Sequence, residues 1–520
     1  MASNIKFKRS SVAGKKPTAG QLPVGELAIN TADGIVYTQR DDGSVVPVAG
    51  AGSSVTNVIF VSADGNDSND GLRLGSAKAT IKGAVAICTE GDSIQVYPGT
   101  YLENNPIVLP PHVSIQGRDL RTTVIAPQNI TQDIFQVGNG NHIIDLSFTG
   151  AGCSACVAFR SDGVGIITQS PYVRNCTNFI PGSIGMKVDG SLAQNGNGVS
   201  GSMVVDSYTQ YNPAGIGVSI SNEAYAQLVS IFTINCDIAI SATNGGQGDI
   251  TNSNTSFGNF GLIASGLGTM SQVGIVTAAS GIGSDRVVLA DLTDRPYDGQ
   301  VLYLDDIYYE LEKIDVTNGG SGYTTVPTVL VEAPTGPNGA TAFAAANISG
   351  GRITSIDVLS NGSQYIQNPT ITITGGGGSG AAVTTGIQPI YYSVESSTPV
   401  SSGISTVVLK QTLNNSVGVG STAPIYQQSL LIASSHSFEY VGTGTDKAAA
   451  RPRRGGVGIQ TQEVISRDGG LVVYTSTDQA GNFAIGPDVN INQATGTITG
   501  RAFSQSLLNT VTPLIIALED

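Results

Sequence analysis

Between residues 216 and 266 the chain repeats one apolar and polar pattern three times. "IGVSISN" (216–222), "IAISATN" (238–244) and "FGLIASG" (260–266) start 22 residues apart. Aligned, they give apolar columns of Ile216, Ile238 and Phe260; of Val218, Ile240 and Leu262; and of Ile220, Ala242 and Ala264. Small or polar residues mostly stand between them: Gly217, Ala239 and Gly261, then Ser219, Ser241 and Ile263. Period-two alternation marks a strand with one buried face. Thr209, Thr233 and Thr255 supply a second recurring strand, at spacings of 24 and 22. A unit of this length has room for about three strands of about four to five residues with bends between them. Hairpins would reverse the chain and break the columns, whereas a coil advancing one strand spacing per turn preserves them. The pattern predicts a parallel β-helix, with Asn222 and Asn244 stacked at one bend as a hydrogen-bonded ladder.

The same texture begins earlier. "GDSIQVYPGTYLENNPIVLPPHVSIQGRDL" (91–120) holds two short apolar runs, 93–97 and 112–116, joined by Pro-rich and Gly-rich bends. They read as strands of the coil's first turns. Ahead of them, "ATIKGAVAIC" places Ile81, Ala84, Val85 and Cys88 on one helical face. A helix there would cover the open end of the coil, whose unpaired edge otherwise invites aggregation.

Composition agrees with an all-β chain. Of 520 residues 67 are Gly and only 12% are charged, as in proteins of many short strands and turns. There is no 18-residue apolar run for a membrane span and no apolar core of a signal peptide behind the first basic residues. A net charge of -14 argues against nucleic acid as a partner. Two basic clusters run against that charge: Lys6, Lys8, Arg9, Lys15 and Lys16, and Lys447, Arg451, Arg453 and Arg454. The first suits an acidic docking surface, and the second reads as a solvated loop. Five cysteines, Cys88, Cys153, Cys156, Cys176 and Cys236, are sparse and odd in number; Cys153 and Cys156 form one CxxC without a second pair or a nearby His, so free buried thiols are expected and not zinc.

The flanks are β modules of other kinds. Residues 7–48 read as strands at 26–30, 35–39 and 45–48, with turns at Ala32-Asp33-Gly34 and Asp42-Gly43. Ile314-Asp315-Val316, Gly320-Ser321, Tyr323 and Pro327-Thr328 recur 42 residues later as Ile356-Asp357-Val358, Gly362-Ser363, Tyr365 and Pro369-Thr370, a tandem duplication. "LLIASSHSFEYVGTG" (430–444) returns to the coil's texture. The organisation expected is an N-terminal attachment module at 1–50, a parallel β-helix at 56–270, an inserted β domain with the 42-residue repeat at 271–395, a continuation of the coil at 396–446, and a β-rich C-terminal domain at 447–520 with turns at Gly469-Gly470, Ala480-Gly481 and Gly496.

Several of these stretches carry a resemblance. "VSADGNDSNDG", "ATIKGAVAIC", "GDSIQVYPGTYLE" and "VSIQG" are similar to the opening segments of right-handed parallel β-helix proteins of the pectin-lyase-like class. "GELAINTADG" followed by Tyr37 and "DDG" resembles N-terminal segments of bacteriophage tail-fibre and other virion proteins, where that end faces the particle. The duplicated "GGSGYT" repeat resembles repeats of phage structural and surface proteins, and "YTSTDQAGNF" with "INQATGT" resembles C-terminal regions of marine cyanophage tail proteins. The resemblance implies a phage virion structural protein of the tail, fibre or baseplate-associated. Its partners would be other tail or baseplate proteins met through the N-terminal module, with a host surface glycan as a further contact. Such fibres commonly form homotrimers, and three chains together would cover modules too thin to bury a core alone.

Candidate chemistry is sparse. Glycan cleavage needs a pair of carboxylates across one sugar bond. Asp206, Glu223 and Asp237 lie on neighbouring turns, but Asp206 aligns with Ser230 and Asn252 in an outward polar column and Asp237 falls at a bend. The chain has no Trp to stack sugars. Asp64, Asn66, Ser68 and Asp70 alternate like calcium ligands, yet Asn69 and Gly75 stand where such a loop needs Gly and Glu, so a polar turn is expected. His112, His142 and His436 are isolated. No catalytic, cofactor-binding or metal residue is assigned, and the expectation is a non-enzymatic shaft, with a tailspike-type glycan depolymerase as the alternative.

Overall fold

The computed structural model describes residues 8–32, 34–48, 57–192, 201–256, 258–304, 308–336, 339–439, 463–475, 482–485, 490–492 and 497–499. The chain divides into two compact units, Met1–Val58 with Gly91–Ser93, and Ile59–Glu90 with Ile94–Asp520.

In the first unit, Leu27–Asn30, Ile35–Gln39 and Val45–Pro47 form the expected antiparallel meander. Lys8–Ser10 adds a parallel edge strand beside Leu27–Asn30. The sequence did not announce that strand, because Lys-Arg-Ser has no apolar alternation. Its position is fixed from outside: the Asn30 amide donates to the carbonyls of Val12 and Lys15, at 2.9 and 2.8 Å. The core is small, Leu22, Ala28 and Tyr37 with Val45 against them.

The second unit is built on a parallel β-helix. One sheet stacks straight strands: Ile107–Val108, Phe135–Val137, Ala155–Phe159, Ile184–Asp189, Ile216–Ser221, Ile238–Thr243, Phe260–Ser265 and Glu463–Arg467. The other wall stacks strands that turn a corner midway, such as Ser202–Tyr211, Tyr225–Ile234 and Gln247–Ser256. At each corner one residue adopts left-handed backbone: Ser207, Ser230 and Asn252, with φ of 61°, 53° and 49°. Burial alternates along each strand and shifts phase at that residue, so Met203 and Val205 before the corner and Tyr208 and Gln210 after it all face inward. Two legs and one straight strand thus enclose a single interior.

The predicted register holds in the straight strands: Ile216 pairs with Ile238 and Ile238 with Phe260, and the two columns after it pair likewise. Val218, Ile240, Leu262, Ile220, Ala242 and Ala264 lie in the core. The first column does not. Ile216, Ile238 and Phe260 are half-buried, because Gly217 and Ala239 take the inward position; a Cβ on Gly217 would stand 2.6 Å from the Thr233 methyl. Among the threonines, Thr233 pairs with Thr255 as expected, but Thr209 pairs with Phe232 and the partner of Thr233 is Gln210. That turn is 23 residues long, one more than the next. Asn244 donates to Asn222 at 3.3 Å, and the ladder reaches one turn further, since Asn222 donates to Asp189 at 2.8 Å.

The helix forms at Ile81–Val85 with Thr80 as its N-cap, accepting from the Gly83 amide at 2.8 Å. Ile81 and Ala84 join the coil's core, with Val85 and Cys88 packed against it.

The coil is interrupted after residue 266. Six strands, Leu267–Ala278, Arg286–Ala290, Gln300–Tyr303, Tyr391–Ser397, Ser405–Leu409 and Thr422–Gln428, close an antiparallel barrel with its own core. The duplicated module is nested inside it, with a third core. Its two halves are interleaved: the first strands, Tyr309–Ser321 and Arg352–Ser360, meet at Ile314 and Ile356, and each half's third strand pairs with the other half's first. The coil returns where its texture reappears, with Leu430–Glu439 parallel to Gln247–Ser256, but the boundary at 396 is too early, since residues 396–428 belong to the barrel. Nor does the coil stop at 446: Glu463–Arg467 and Leu471–Thr475 extend its two walls. Both differences have one cause, that strand pairing is decided across the insertion and leaves no local mark. The turns expected at Ala480-Gly481 and Gly496 lie outside the described residues.

The burial difference between columns gives a test. Ile240→Ala should cost about 2–5 kcal/mol, and Ile240→Asp more, through an unpaired buried carboxylate. Ile238→Asp, one column away and half-exposed, should cost clearly less. Denaturant unfolding of the three variants measures the order.

Candidate functional site

The outer face of the first corner leg carries the most chemistry on the coil. Pairing places His142 beside Tyr172 and Tyr172 beside Val204, and in the next outward column Ile144, Arg174 and Asp206. His142, Ile144, Tyr172, Arg174 and Asp206 line a shallow cleft of about 210 Å³. The imidazole meets the Tyr172 ring edge-on at 5.9 Å. Desolvation at the cleft wall and then the charge of Arg174 hold the His142 pKa below its ordinary 6.5. One turn of the coil further, the Tyr225 hydroxyl donates to Asp249 at 2.7 Å; burial, and then that carboxylate, push the phenol's pKa up. Sequence reasoning took His142 as isolated. Its neighbours lie 30 and more residues away, on turns longer than the 22-residue repeat, so no period links them.

The three carboxylates singled out from sequence stand at three different corners of the coil. Asp206 precedes the left-handed Ser207 and accepts from its hydroxyl at 2.9 Å. It pairs with Val229, and it is Ser207 that stacks with Ser230 and Asn252, one position off the expected alignment. Glu223 follows Asn222 at the ladder corner and accepts hydrogen bonds from the backbone and hydroxyl of Thr269. Asp237 sits at the remaining corner, before Ile238, and accepts from Asn259 at 2.5 Å. The fold does not bring them together. The cleft contains one carboxylate, Asp206, and Asp249 is two turns and two residues from it, about 12 Å along the sheet.

A fourth acid was not foreseen. Glu103 is fully buried and accepts from the first amides of the helix, Ile81 at 2.6 Å and Lys82 at 3.1 Å. Burial raises its pKa and the amide bonds oppose the rise, so it closes a helix end inside the coil.

The other flagged residues form local structure. Asn66 accepts from the Ser68 amide and hydroxyl at 2.9 and 2.8 Å, and Asp70 from Leu72 and Ser76 at 3.0 and 2.6 Å. Those oxygens make turns, and among the described residues no group of three or more His, Cys, Asp or Glu could hold a metal ion. Cys153, Cys156, Cys176 and Cys236 are buried free thiols and Cys88 is partly buried. His112 lies 3.5 Å from Glu90, and His436 falls in the strand opposite Ser253. In the N-terminal basic cluster Lys8 is paired with Glu26 at 2.8 Å, leaving Arg9, Lys15 and Lys16 exposed. Lys6 and the whole second cluster, Lys447, Arg451, Arg453 and Arg454, lie outside the described residues.

Past the corner, the outer face carries several exposed apolar side chains among polar ones. Leu102, Phe179, Tyr211 and Phe232 are 59%, 43%, 45% and 43% exposed, and the register stacks Phe179, Tyr211 and Ile234 on successive turns.

No family model matches the chain. Short stretches are similar to the long tail fiber protein Gp37 of three phages: 46% identical over 57 residues for Escherichia phage AR1, 38% over 58 for Enterobacteria phage K3, and 50% over 42 for Salmonella phage S16. These stretches are 11%, 11% and 8% of this chain and 5%, 5% and 6% of those proteins, so the chain spans about a twentieth of the length of the relatives it matches. Among solved structures, the tailspike protein gp49 of Acinetobacter baumannii bacteriophage Fri1, a capsular polysaccharide depolymerase, matches at 12% identity over 81% of this chain and 97% of its own, with a TM-score of 0.21. The tailspike-like glycan biofilm modifying enzyme WceF of Pantoea stewartii matches at 11% over 79% and 65%, with a TM-score of 0.20. Superpositions so loose bear no weight on activity. The resemblance read from the sequence, to a phage tail-fibre virion protein with a parallel β-helix, stands on the fibre stretches and the coil itself, and places the chain in the virion tail.

The cleft predicts a pH response. In an NMR titration His142 should protonate below 6.5, and Arg174→Gln should move its midpoint up. Because the folded state holds this proton less well than the unfolded chain, its contribution to stability is present above that ordinary value and falls away as pH drops toward the folded midpoint.

Proposed function

We propose that the chain is a non-enzymatic structural protein of the phage tail, fibre or baseplate-associated: the coil is a stiff shaft, the N-terminal module docks to another tail component, and other surfaces meet partners or the host. One observation carries the reading. Asp206, Glu223 and Asp237 occupy three corners, each engaged in a hydrogen bond of its own, and the cleft on the coil offers one carboxylate where hydrolysis of a glycosidic bond uses two, about 5–9.5 Å apart. On the proposed reading no residue is catalytic and no cofactor or metal is used, and a host glycan is bound without being cut.

Docking is assigned to the N-terminal module because Arg9, Lys15 and Lys16 give an exposed basic edge suited to an acidic surface, and its three-residue core needs neighbours. Self-association into a homotrimer is proposed on the exposed column of Phe179 and Tyr211 with Phe232 beside it, an apolar strip running along the shaft of the kind that marks an interface.

Three measurements test these assignments. Purified protein should release no oligosaccharide from host envelope glycans, and Asp206→Asn, Glu223→Gln and Asp237→Asn should leave infectivity nearly unchanged; cleavage abolished by any one of them would establish the depolymerase instead. Removing residues 1–50 should leave a folded shaft that fails to join particles. Mass photometry should find three chains together, and Tyr211→Lys with Phe232→Lys should shift the population toward monomer.

A further inference from the structure

We infer that residues 267–427, the barrel with its nested duplicated module, form a cassette that can be cut out of the coil without loss of the coil's register. The corner where it enters is the Asn ladder. At that corner three turns of the coil share one plan: a residue in left-handed backbone, two linking residues of which the first is left-handed as well, then the first residue of the corner strand. Asn222, Glu223, Ala224 and Tyr225 follow it, as do Asn244, Gly245, Gly246 and Gln247, and later Asp468, Gly469, Gly470 and Leu471. Between the last two lies a turn that begins with Gly266, at φ 80°, and whose strand begins at Leu430. Gln428 and Ser429 are its two linking residues. Joining Gly266 to Gln428 therefore restores the 22-residue turn.

The hydrogen bonds already treat the break as closed. Gln247 donates to the Ala224 carbonyl at 2.8 Å, Leu430 to that of Gly246 at 3.0 Å, and Leu471 to that of Ser429 at 2.8 Å. Ser429 holds both rims: its amide donates to the Gly266 carbonyl at 3.3 Å and its hydroxyl to that of Ser265 at 2.9 Å. Leu267 and Gln428, the first residue of the cassette and the first residue after it, are paired across adjacent strands, so the splice spans little space. The same device is used once more inside, where Tyr309 and Pro389 are paired at the ends of the duplicated module.

Energetically the cassette is closed on itself. The coil, barrel and duplicated module have separate apolar cores with no residue in common. Across the boundary several of the contacts are polar: Gln247 to the Gly299 carbonyl at 2.9 Å, Gln428 to Ser393 at 2.9 Å, and Glu223 with Thr269. An apolar contact also crosses, Leu267 against Gly469, whose added Cβ would meet it at 2.7 Å.

The test is a pair of deletions in the full chain. In the first, Gly266 is joined to Gln428; in the second, Gly266 is joined directly to Leu430, which removes the two linking residues as well. Amide hydrogen exchange is followed in the strands Ile238–Thr243, Gln247–Ser256 and Phe260–Ser265. The first variant should keep the protection of the intact chain, and the second should lose it around the junction. Loss of protection in the first variant, or equal protection in both, overturns the inference.

Discussion

The coil rests on one local constraint, that a strand must turn a corner without letting its inward side chains swing out. Alternation along a strand fixes which residues face the core, and a smooth bend would leave the second leg in the wrong phase. A single residue in left-handed backbone supplies the missing step. It does so at Asp145, Asn175, Ser207, Ser230 and Asn252, which follow one another up the stack. Such backbone costs an ordinary residue about 1–2 kcal/mol. Asn and Asp bear it best, and here the stack gives something back: Asn175 donates to Asp145 at 2.6 Å and Asn252 to Ser230 at 3.1 Å.

Once the corners are fixed, the rest of the coil follows from closure. Backbone groups pair with the turns on either side, and the interior fills with Val, Ile, Leu, Phe and Tyr in columns. The exposed end is handled by the short helix, whose own first amides are bound by buried Glu103. The same logic explains how a large insertion is tolerated. A corner is where the chain leaves the sheet anyway, and a detour that begins and ends on paired residues returns to the register it left.

Several acidic residues are spent on architecture. Glu103 closes a helix, Asp67 binds the amides of Ala79 and Thr80, both at 2.9 Å, Asp189 ends the Asn ladder, and Asp237 braces a corner. On the outer face of the coil, His142, Tyr172, Arg174 and Asp206 come together from three turns to line one cleft.

How much of this was legible in the sequence depends on whether a feature repeats locally. Three straight strands at equal spacing gave the coil, two of its three apolar columns and the Asn ladder, because a fixed spacing and a period of two are properties of the chain itself. The Ile216 column failed because Gly217, inward and without a side chain, looks like any polar spacer until its neighbour Thr233 is known. The duplicated module was visible as a repeat, but its interleaving was not: that two copies would exchange third strands depends on which edges meet in space. The return of the coil at 430 was legible in the strand texture of 430–444, whereas the closed barrel before it and the cleft joining His142 to residues 30 and more positions away had no local signature. Sequence alone determined the alternation and two of the three columns that each turn buries; only the tertiary structure decided which turns lie next to one another, because pairing between distant strands is settled by geometry shared across the whole stack.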